Sequence, residues 1–159
     1  MKTVHTKRDN CRLCEEKFLE LVVPLEPTPV AEKYLSKDQL KDEELICPLD
    51  LYMCKSCGHV QLLDIIDPKF LYNDYTYSSG NSPGLVKHFS EYANNIIKKY
   101  NPEKNSLVVD VGSNDGTLLN FFKQSGLKVL GVDPAKEIAE KATSQGIETL
   151  PEFMNLKVS

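Results

Sequence analysis

The sequence lacks the features that would place it in a membrane, in the secretory pathway or on nucleic acid. It has no run of eighteen apolar residues, so no segment is predicted to span a bilayer. The N-terminal segment MKTVHTKRDN is charged and has no apolar core, so it is not predicted to be a secretory signal. The 19 Lys and Arg residues face 23 Asp and Glu, and the net charge of −4 favours neither nucleic acid nor an anionic membrane as a partner. We therefore expect a cytoplasmic protein.

What is present indicates a globular chain. The 159 residues suffice for one ordinary domain or two small ones. Apolar residues make up 41% and charged residues 26% of the chain, which are values of folded rather than disordered proteins.

The cysteines are paired in the sequence, which indicates a metal site in a reducing compartment. Cys11 and Cys14 form CRLC, and Cys54 and Cys57 form CKSC. Two such pairs supply the four thiolates of a tetrahedral zinc site, and we predict these four residues as ligands. A redox pair or disulfides are the alternatives. Cys47 stands alone and is predicted to be a small buried apolar residue.

The surroundings of the cysteine pairs favour a structural role for the metal. Gly58 follows the second pair, where the backbone of a zinc knuckle often needs a positive φ. His59 is interpreted as a surface residue at the start of the strand HVQLLDI. The region 1–70 has little apolar core and is rich in proline, so zinc is expected to stabilise it as a small zinc-binding domain.

The middle region, 71–105, is predicted to contain a loop and a linking helix. The helix should begin at Ser82-Pro83, with Ser82 as its cap, and end at Asn101-Pro102. Tyr72, Tyr75 and Tyr77 precede it, next to Ser-Ser-Gly. These tyrosines serve either interdomain packing or a ligand cleft.

The last region, 106–159, alternates strands with helices. Strands are predicted at 107–111, 128–132 and 147–150, with helices at 114–125 and 134–145. This βαβαβ pattern is half of a doubly wound parallel sheet, so the fold class is α/β, with an incomplete Rossmann-like sheet behind a small zinc domain.

The turn GSNDGT at 112–117 predicts the ligand class. It lacks the glycine spacing of a dinucleotide fingerprint and the Gly-Lys-Ser/Thr of a phosphate loop. Asp110 and Asp115 suit a cationic ligand, and Asp133 ends the next strand, where an acid can accept hydrogen bonds from ribose hydroxyls. S-adenosylmethionine is an adenosine ligand with a sulfonium, an ammonium and no phosphate. We predict Asp110, Gly112 and Asp133, among others, as its binding residues.

Taken together, the two CxxC pairs, CPLDLYMCKSCGHVQL, YNDYTYSSGNS, and VDVGSNDGTLL followed by GVDP resemble the zinc-binding, S-adenosylmethionine-dependent sugar C-methyltransferases. The resemblance extends from about Cys11 to Asn155. It implies that the four paired cysteines bind zinc, that Asp133 binds the cofactor ribose, and that Tyr75 and Tyr77 lie over the active site. The residues matching the cofactor turn are Gly112, Ser113, Asn114 and Gly116.

The resemblance also implies an activity. Family members methylate a nucleotide-linked keto-deoxysugar through an enolate, and such a sugar is the expected partner, with neither nucleic acid nor membrane. The family's histidine- and tyrosine-containing catalytic block is expected beyond Ser159, so this chain alone is expected to be inactive and no catalytic residue is assigned. The alternatives are a non-catalytic zinc-binding interaction module, or a methyltransferase of the same fold for another small molecule. The sugar, the methylated carbon and the oligomeric state are not predicted.

Overall fold

The computed structural model describes residues 4–72 and 75–158. The chain divides into two compact units, Met1–Leu71 and Tyr72–Ser159. No helix within the described residues combines the length and the apolar character that crossing a membrane requires.

The first unit consists of short antiparallel strands. Sheets form from β2, β5 and β6 in the order β2-β5-β6, from β1 with β7, and from β3 with β4. The strands are β1 His5–Lys7, β2 Leu19–Val23, β3 Thr28–Pro29, β4 Ile46–Cys47, β5 Leu51–Cys54, β6 Val60–Leu62 and β7 Asp64–Ile66. A 3-10 helix covers Lys37–Lys41, and helix α1 covers Pro68–Tyr72. The single strand predicted from His59 onward is instead two strands, β6 paired with β5 and β7 paired with β1, with the buried Leu63 between them in the sequence.

The core of this unit is thin, as expected from its composition. Within residues 4–71, the buried residues of apolar type are Cys11, Cys47, Cys54 and Leu63. Phe18 remains 68% exposed. Because so little apolar surface is buried, cross-linking by a metal would contribute a large share of the stability of this unit.

The second unit is built on a three-stranded parallel sheet with the order β10-β9-β8. Its elements alternate along the chain as the sequence predicted. They are the 3-10 helix Ser79–Asn81, α2 Pro83–Tyr100, β8 Leu107–Val111, α3 Thr117–Gln124, β9 Lys128–Val132, α4 Lys136–Ser144 and β10 Thr149–Leu150.

Helix α2 has the predicted bounds and the predicted N-cap residue, but the cap makes no side-chain hydrogen bond. Asn101 adopts the left-handed conformation after the last turn. Ser82 lies at the N-cap, but its side chain makes no capping hydrogen bond; its backbone oxygen accepts from Val86 instead. Proline in the first turn and the left-handed Asn101 therefore determine the length of this helix.

The other two helices and the last strand are shorter than predicted. Helix α3 begins at Thr117 rather than at 114, because Asn114 and Gly116 have positive φ values of 50° and 76°. Helix α4 begins at Lys136 rather than at 134, and β10 covers Thr149–Leu150 rather than 147–150. In each case the missing residues form the turn that precedes the element.

The helices pack on one face of the sheet. One cluster joins Phe122 to Ala93 and Leu127, and a second joins Leu119 to Ala142 and Ile147. Val108 and Val129 of the sheet contact both clusters. The opposite face of the edge strand β8 is bare within the described residues. Its side chains are Leu107, Val109 and Val111, which are 58%, 48% and 57% exposed.

Candidate functional site

The four paired cysteines converge on one point in the first unit. The sulfurs of Cys11, Cys14, Cys54 and Cys57 all lie within 4.8 Å of one another. The Sγ atoms of Cys11 and Cys57 are 3.8 Å apart, and those of Cys14 and Cys54 are 3.6 Å apart. A tetrahedral ion with Zn–S bonds of about 2.3 Å requires sulfurs about 3.8 Å apart. These two distances are close to the spacing that a tetrahedral zinc ion requires.

The two cysteine pairs lie on turns with the same hydrogen-bond pattern. In the first turn the Cys11 amide donates to Glu16 O at 2.8 Å, and the Glu15 amide donates to Cys11 O at 2.9 Å. The second repeats this pattern with Cys54: its amide donates to the His59 oxygen at 2.9 Å, and its oxygen accepts from the Gly58 amide at 2.8 Å.

In both turns the residue directly after the second cysteine has a left-handed backbone. Glu15 has a φ of 64° and Gly58 has a φ of 78°. The positive φ predicted for Gly58 is confirmed. In the first turn the same conformation is adopted by a glutamate, which sequence reasoning did not anticipate.

The thiols of Cys11 and Cys14 differ in pKa because their surroundings differ. The backbone amide of Cys14, assisted by that of Leu13, lowers the pKa of the Cys11 thiol to about 6 against the effect of burial. The Glu16 amide lowers the pKa of Cys14, but the Cys57 sulfur, burial and the Cys54 sulfur outweigh it and raise that pKa to about 12. Four adjacent thiolates repel one another, so a dication is needed to hold all four deprotonated.

Neither Cys47 nor His59 belongs to the cluster. Cys47 is 5% exposed, and burial together with the charge of Asp64 raises its pKa, so it is an inert thiol. His59 is half-buried at the end of the second turn. Arg12 fastens the first turn to β6 by donating from its backbone amide to Gln61 Oε1 at 3.0 Å and from Nη2 to Leu62 O at 2.8 Å.

The second unit contains a cavity of about 420 Å³ at the carboxyl ends of β8 and β9. This is where ligands bind in open parallel sheets. Of the residues predicted from the sequence, Tyr75, Tyr77, Gly112, Asn114 and Asp133 line it. Its other lining residues are Tyr72, Ser79, Val111, Val132, Pro134, Glu152, Phe153 and Met154.

Asp133 lies at the wall of this cavity and is 7% exposed. Its Oδ2 accepts from the Asn114 amide at 2.8 Å, and its Oδ1 accepts from the Ala135 amide at 2.9 Å. The carboxylate thus joins the turn after β8 to the start of α4. Each oxygen retains lone-pair capacity for a further donor, such as a ribose hydroxyl.

The segment 112–117, here called the glycine turn, uses its two glycines differently. Gly112 has a φ of 81°, lines the cavity and has open space where a Cβ would lie. Gly116 does not line the cavity. A Cβ at Gly116 would lie 2.8 Å from Cγ2 of Ile147, so the absence of a side chain there allows helix α3 to pack against the chain before β10.

Two other predicted residues lie away from the cavity wall. Ser113 is buried beside Gly131, and its hydroxyl has no partner among the described residues. Asp110 is opposite Gly131 in the register of β8 and β9. Burial, and then the charge of Asp133, raise the pKa of Asp110.

The segment 75–80, here called the tyrosine segment, forms an aromatic wall. Ring centroids of Tyr72 and Tyr75 are 5.8 Å apart, and those of Tyr75 and Tyr77 are 6.5 Å apart, all edge to face. Phe153 continues the series at 6.3 Å from Tyr72.

Sequence reasoning missed the structural role of Asp115 and the contribution of residues 152–154 to the cavity. Asp115 accepts from the backbone amide and the hydroxyl of Thr117, and also from Ser78 and Gly80. The run Asp-Gly-Thr is typical of an Asx turn and could have indicated the contact within the turn. No sequence signal marks its partners in the tyrosine segment.

Comparisons with known proteins agree with this arrangement. Residues 11–72 match a family model described as "Putative zinc binding domain". The chain is also 32% identical to the C-methyltransferase NovU of Streptomyces niveus over 143 residues. This aligned region covers 90% of the chain and 34% of that relative. The chain thus spans about a third of the relative's length. The family match and the cysteine cluster both support zinc binding. Together these findings confirm that the chain resembles the N-terminal portion of the zinc-binding sugar C-methyltransferases.

Proposed function

We propose that the chain is the N-terminal part of an S-adenosylmethionine-dependent C-methyltransferase that acts on a nucleotide-linked keto-deoxysugar. The observation that carries this proposal is the cavity at the carboxyl ends of β8 and β9, with the buried carboxylate of Asp133 at its wall. The similarity to a C-methyltransferase supports the reaction class. The substrate and the cofactor are proposals.

The charge of the cavity favours a cofactor without phosphate. Its described lining contains two acids, Asp133 and Glu152, and neither Lys nor Arg. A pyrophosphate would meet no neutralising side chain there, whereas a sulfonium and an ammonium would be attracted by the carboxylates. The tyrosine rings offer further attraction to a cation. Bound there, the cofactor would supply an electrophilic methyl group.

The chain's own residues would hold that cofactor in three ways. Asp133 would accept from the ribose hydroxyls through its remaining lone pairs. Gly112 would let the cofactor approach the backbone of the turn, since nothing lies within 4 Å of its Cβ position. Tyr75 and Tyr77 would cover the site and exclude water. We propose the parallel sheet as the first βαβαβ of a Rossmann-like domain spanning 106–159, after a zinc domain at 1–70 and a linking region at 71–105.

The proposed chemistry proceeds through an enolate of the substrate. The ketone acidifies the adjacent carbon, and a base would remove its proton. The enolate carbon would then displace the sulfonium sulfur from the methyl group, so that the C–C bond forms as the S–CH3 bond breaks and S-adenosylhomocysteine leaves. We assign no general base among the described residues. The zinc is proposed to be structural, because four thiolates leave no open position for a substrate.

Calorimetric binding to this chain tests the cofactor assignment. We expect S-adenosylmethionine to bind, and NAD to bind far more weakly. Preference for NAD would replace the methyltransferase assignment by a nicotinamide-dependent one. Binding of neither, with zinc retained, would favour the alternative of a non-catalytic zinc-binding interaction module. A cytoplasmic location and the absence of nucleic-acid and membrane partners complete the proposal.

A further inference from the structure

We propose that Asn114 and Asp115 are positioning residues that clamp the tyrosine segment onto the glycine turn, so that both bind the ligand of the cavity as one unit. The inference rests on the proposed function only for the identity of that ligand. Four hydrogen bonds join the two segments, which are separated by more than thirty residues in the chain.

The Asn114 side chain pairs with the backbone of the tyrosine segment. Its Oδ1 accepts from the Ser79 amide at 2.8 Å, and its Nδ2 donates to Tyr77 O at 2.9 Å. The carboxamide thus pairs with this backbone as a peptide group would, accepting one hydrogen bond and donating another. The backbone amide of the same residue donates to Asp133, so one residue connects the carboxylate at the end of β9 to the tyrosine segment.

The Asp115 side chain makes the second half of the clamp. Its Oδ2 accepts from the Ser78 hydroxyl and from the Gly80 amide, the latter at 2.8 Å. Its Oδ1 accepts from Thr117 through the backbone amide at 3.1 Å and through the hydroxyl at 2.6 Å. A carboxylate has about four acceptor sites, and all are occupied. Asp115 therefore has no capacity left for a ligand, which makes it a positioning residue.

The fit of Gly80 against the turn is close. A Cβ at Gly80 would lie 3.1 Å from Asp115 Oδ2 and 3.2 Å from the Thr117 hydroxyl. A side chain there would push the segment away from the turn. The two segments thus meet through backbone and short polar groups, which leaves Tyr75 and Tyr77 at the cavity wall.

The clamp has a consequence for binding. Gly112 and Asp133 lie on one side of the cavity and the tyrosines on another, and the clamp fixes the distance between them. A ligand that contacts both sides does not have to order the tyrosine segment, so the clamp lowers the entropic cost of binding.

Hydrogen exchange of individual amides, followed by NMR on the full zinc-loaded chain, tests the clamp directly. Asp115→Asn keeps the size of the side chain but replaces one accepting oxygen by an NH2 group, which cannot accept from the surrounding donors. It should accelerate exchange at the Gly80 amide at least tenfold. Asn114→Gly removes the carboxamide and tolerates the positive φ, and should accelerate exchange at Ser79 to a similar extent. Glu140→Gln neutralises an exposed acid on α4 and is the matched control. Unchanged protection of Ala93 in α2 shows that each variant is folded.

The second measurement is calorimetric affinity for S-adenosylmethionine. Both clamp variants should bind at least fivefold more weakly than the wild type, and the control should bind equally well. Accelerated exchange with unchanged affinity would overturn the positioning role, and unchanged exchange would overturn the clamp itself. If the wild-type chain does not bind S-adenosylmethionine, the proposed function fails, while the exchange data still decide whether the clamp exists.

Discussion

The backbone amide of Asn114 donates to Oδ2 of Asp133 at 2.8 Å, which joins the turn after the first strand of the parallel sheet to the end of the second. The other carboxylate oxygen holds the Ala135 amide at 2.9 Å. The residue predicted to bind the cofactor ribose therefore also organises the backbone around the site.

This double role predicts two effects of Asp133→Ala. The variant loses hydrogen bonds to the ribose, each worth about 1.5–3 kcal/mol, and leaves two amides without their acceptor. Calorimetry should show affinity for S-adenosylmethionine reduced tenfold or more, and denaturant unfolding should show lower stability. An analogue of S-adenosylmethionine that lacks both ribose hydroxyls isolates the effect on binding from the effect on stability. The wild type should bind S-adenosylmethionine more tightly than this analogue, and Asp133→Ala should bind the two equally. If both proteins show the same preference for S-adenosylmethionine, the ribose is held elsewhere.

The two glycines of the glycine turn should respond differently to alanine. Both have positive φ, so each substitution should cost about 1–2 kcal/mol of unfolding free energy through the backbone. Gly116→Ala should cost a further 1–3 kcal/mol or so, because its Cβ would meet Ile147. Denaturant unfolding of Gly112→Ala, Gly116→Ala, Ile147→Ala and the double variant Gly116→Ala/Ile147→Ala measures the difference. Strict additivity in the double variant would show that Ile147 is not the obstacle.

The metal centre predicts about one zinc per chain by elemental analysis. Replacing Cys14 by Ser should remove most of the zinc and destabilise residues 4–71, where the apolar core is thin. Cys47→Ala is the matched control, since Cys47 is buried outside the cluster, and it should leave the zinc content unchanged. Loss of zinc in the control, or none in Cys14→Ser, would contradict the ligand set.

Zinc affinity should fall as the pH is lowered, because protons compete with the metal for the sulfurs. In the metal-free chain Cys11 has a pKa of about 6, below the ordinary thiol value, while Cys14 has one of about 12. Above pH 6 the Cys11 thiol is already ionised and releases no proton on binding; below pH 6 it does. Competition titrations with a chelator should therefore show a steeper loss of affinity per pH unit below about pH 6. A slope that is constant from pH 8 to pH 5 would argue against an acidic Cys11.

Neighbouring valines of β8 should differ in tolerance to threonine. Val108 contacts both apolar clusters, so burying a hydroxyl there should cost about 1–3 kcal/mol of unfolding free energy. Val109 faces the bare side of the strand and is 48% exposed, so Val109→Thr should change stability by less than about 0.5 kcal/mol. Equal costs in chemical denaturation would show that another surface covers this face in solution.

Much of the fold could be predicted because local chemistry decides it. Pro83 and Asn101 bound α2 through fixed backbone preferences, and the apolar run Leu107–Val111 forms β8 as predicted. The starts of α3 and α4 could not be placed correctly. Before α3, Asn114 has a positive φ and its side chain is bonded to Ser79, a contact that exists only in the folded chain. Before α4, the amide of Ala135 is bonded to the side chain of Asp133 two residues earlier, a local turn that the sequence interpretation overlooked.

The sequence alone predicted the cluster of four cysteines, because two thiolates separated by two residues fit one tight turn and two such turns complete a tetrahedron. It also determined the parallel βαβαβ order, since apolar strands and amphipathic helices alternate in it. The roles of the polar side chains in the glycine turn depend on tertiary contacts. The side chains of Asn114 and Asp115 hold the tyrosine segment, and Gly116 makes room for Ile147. These partners lie some thirty residues away in the chain, and hydrogen bonding between such distant groups depends on how the helices pack, which no local pattern encodes.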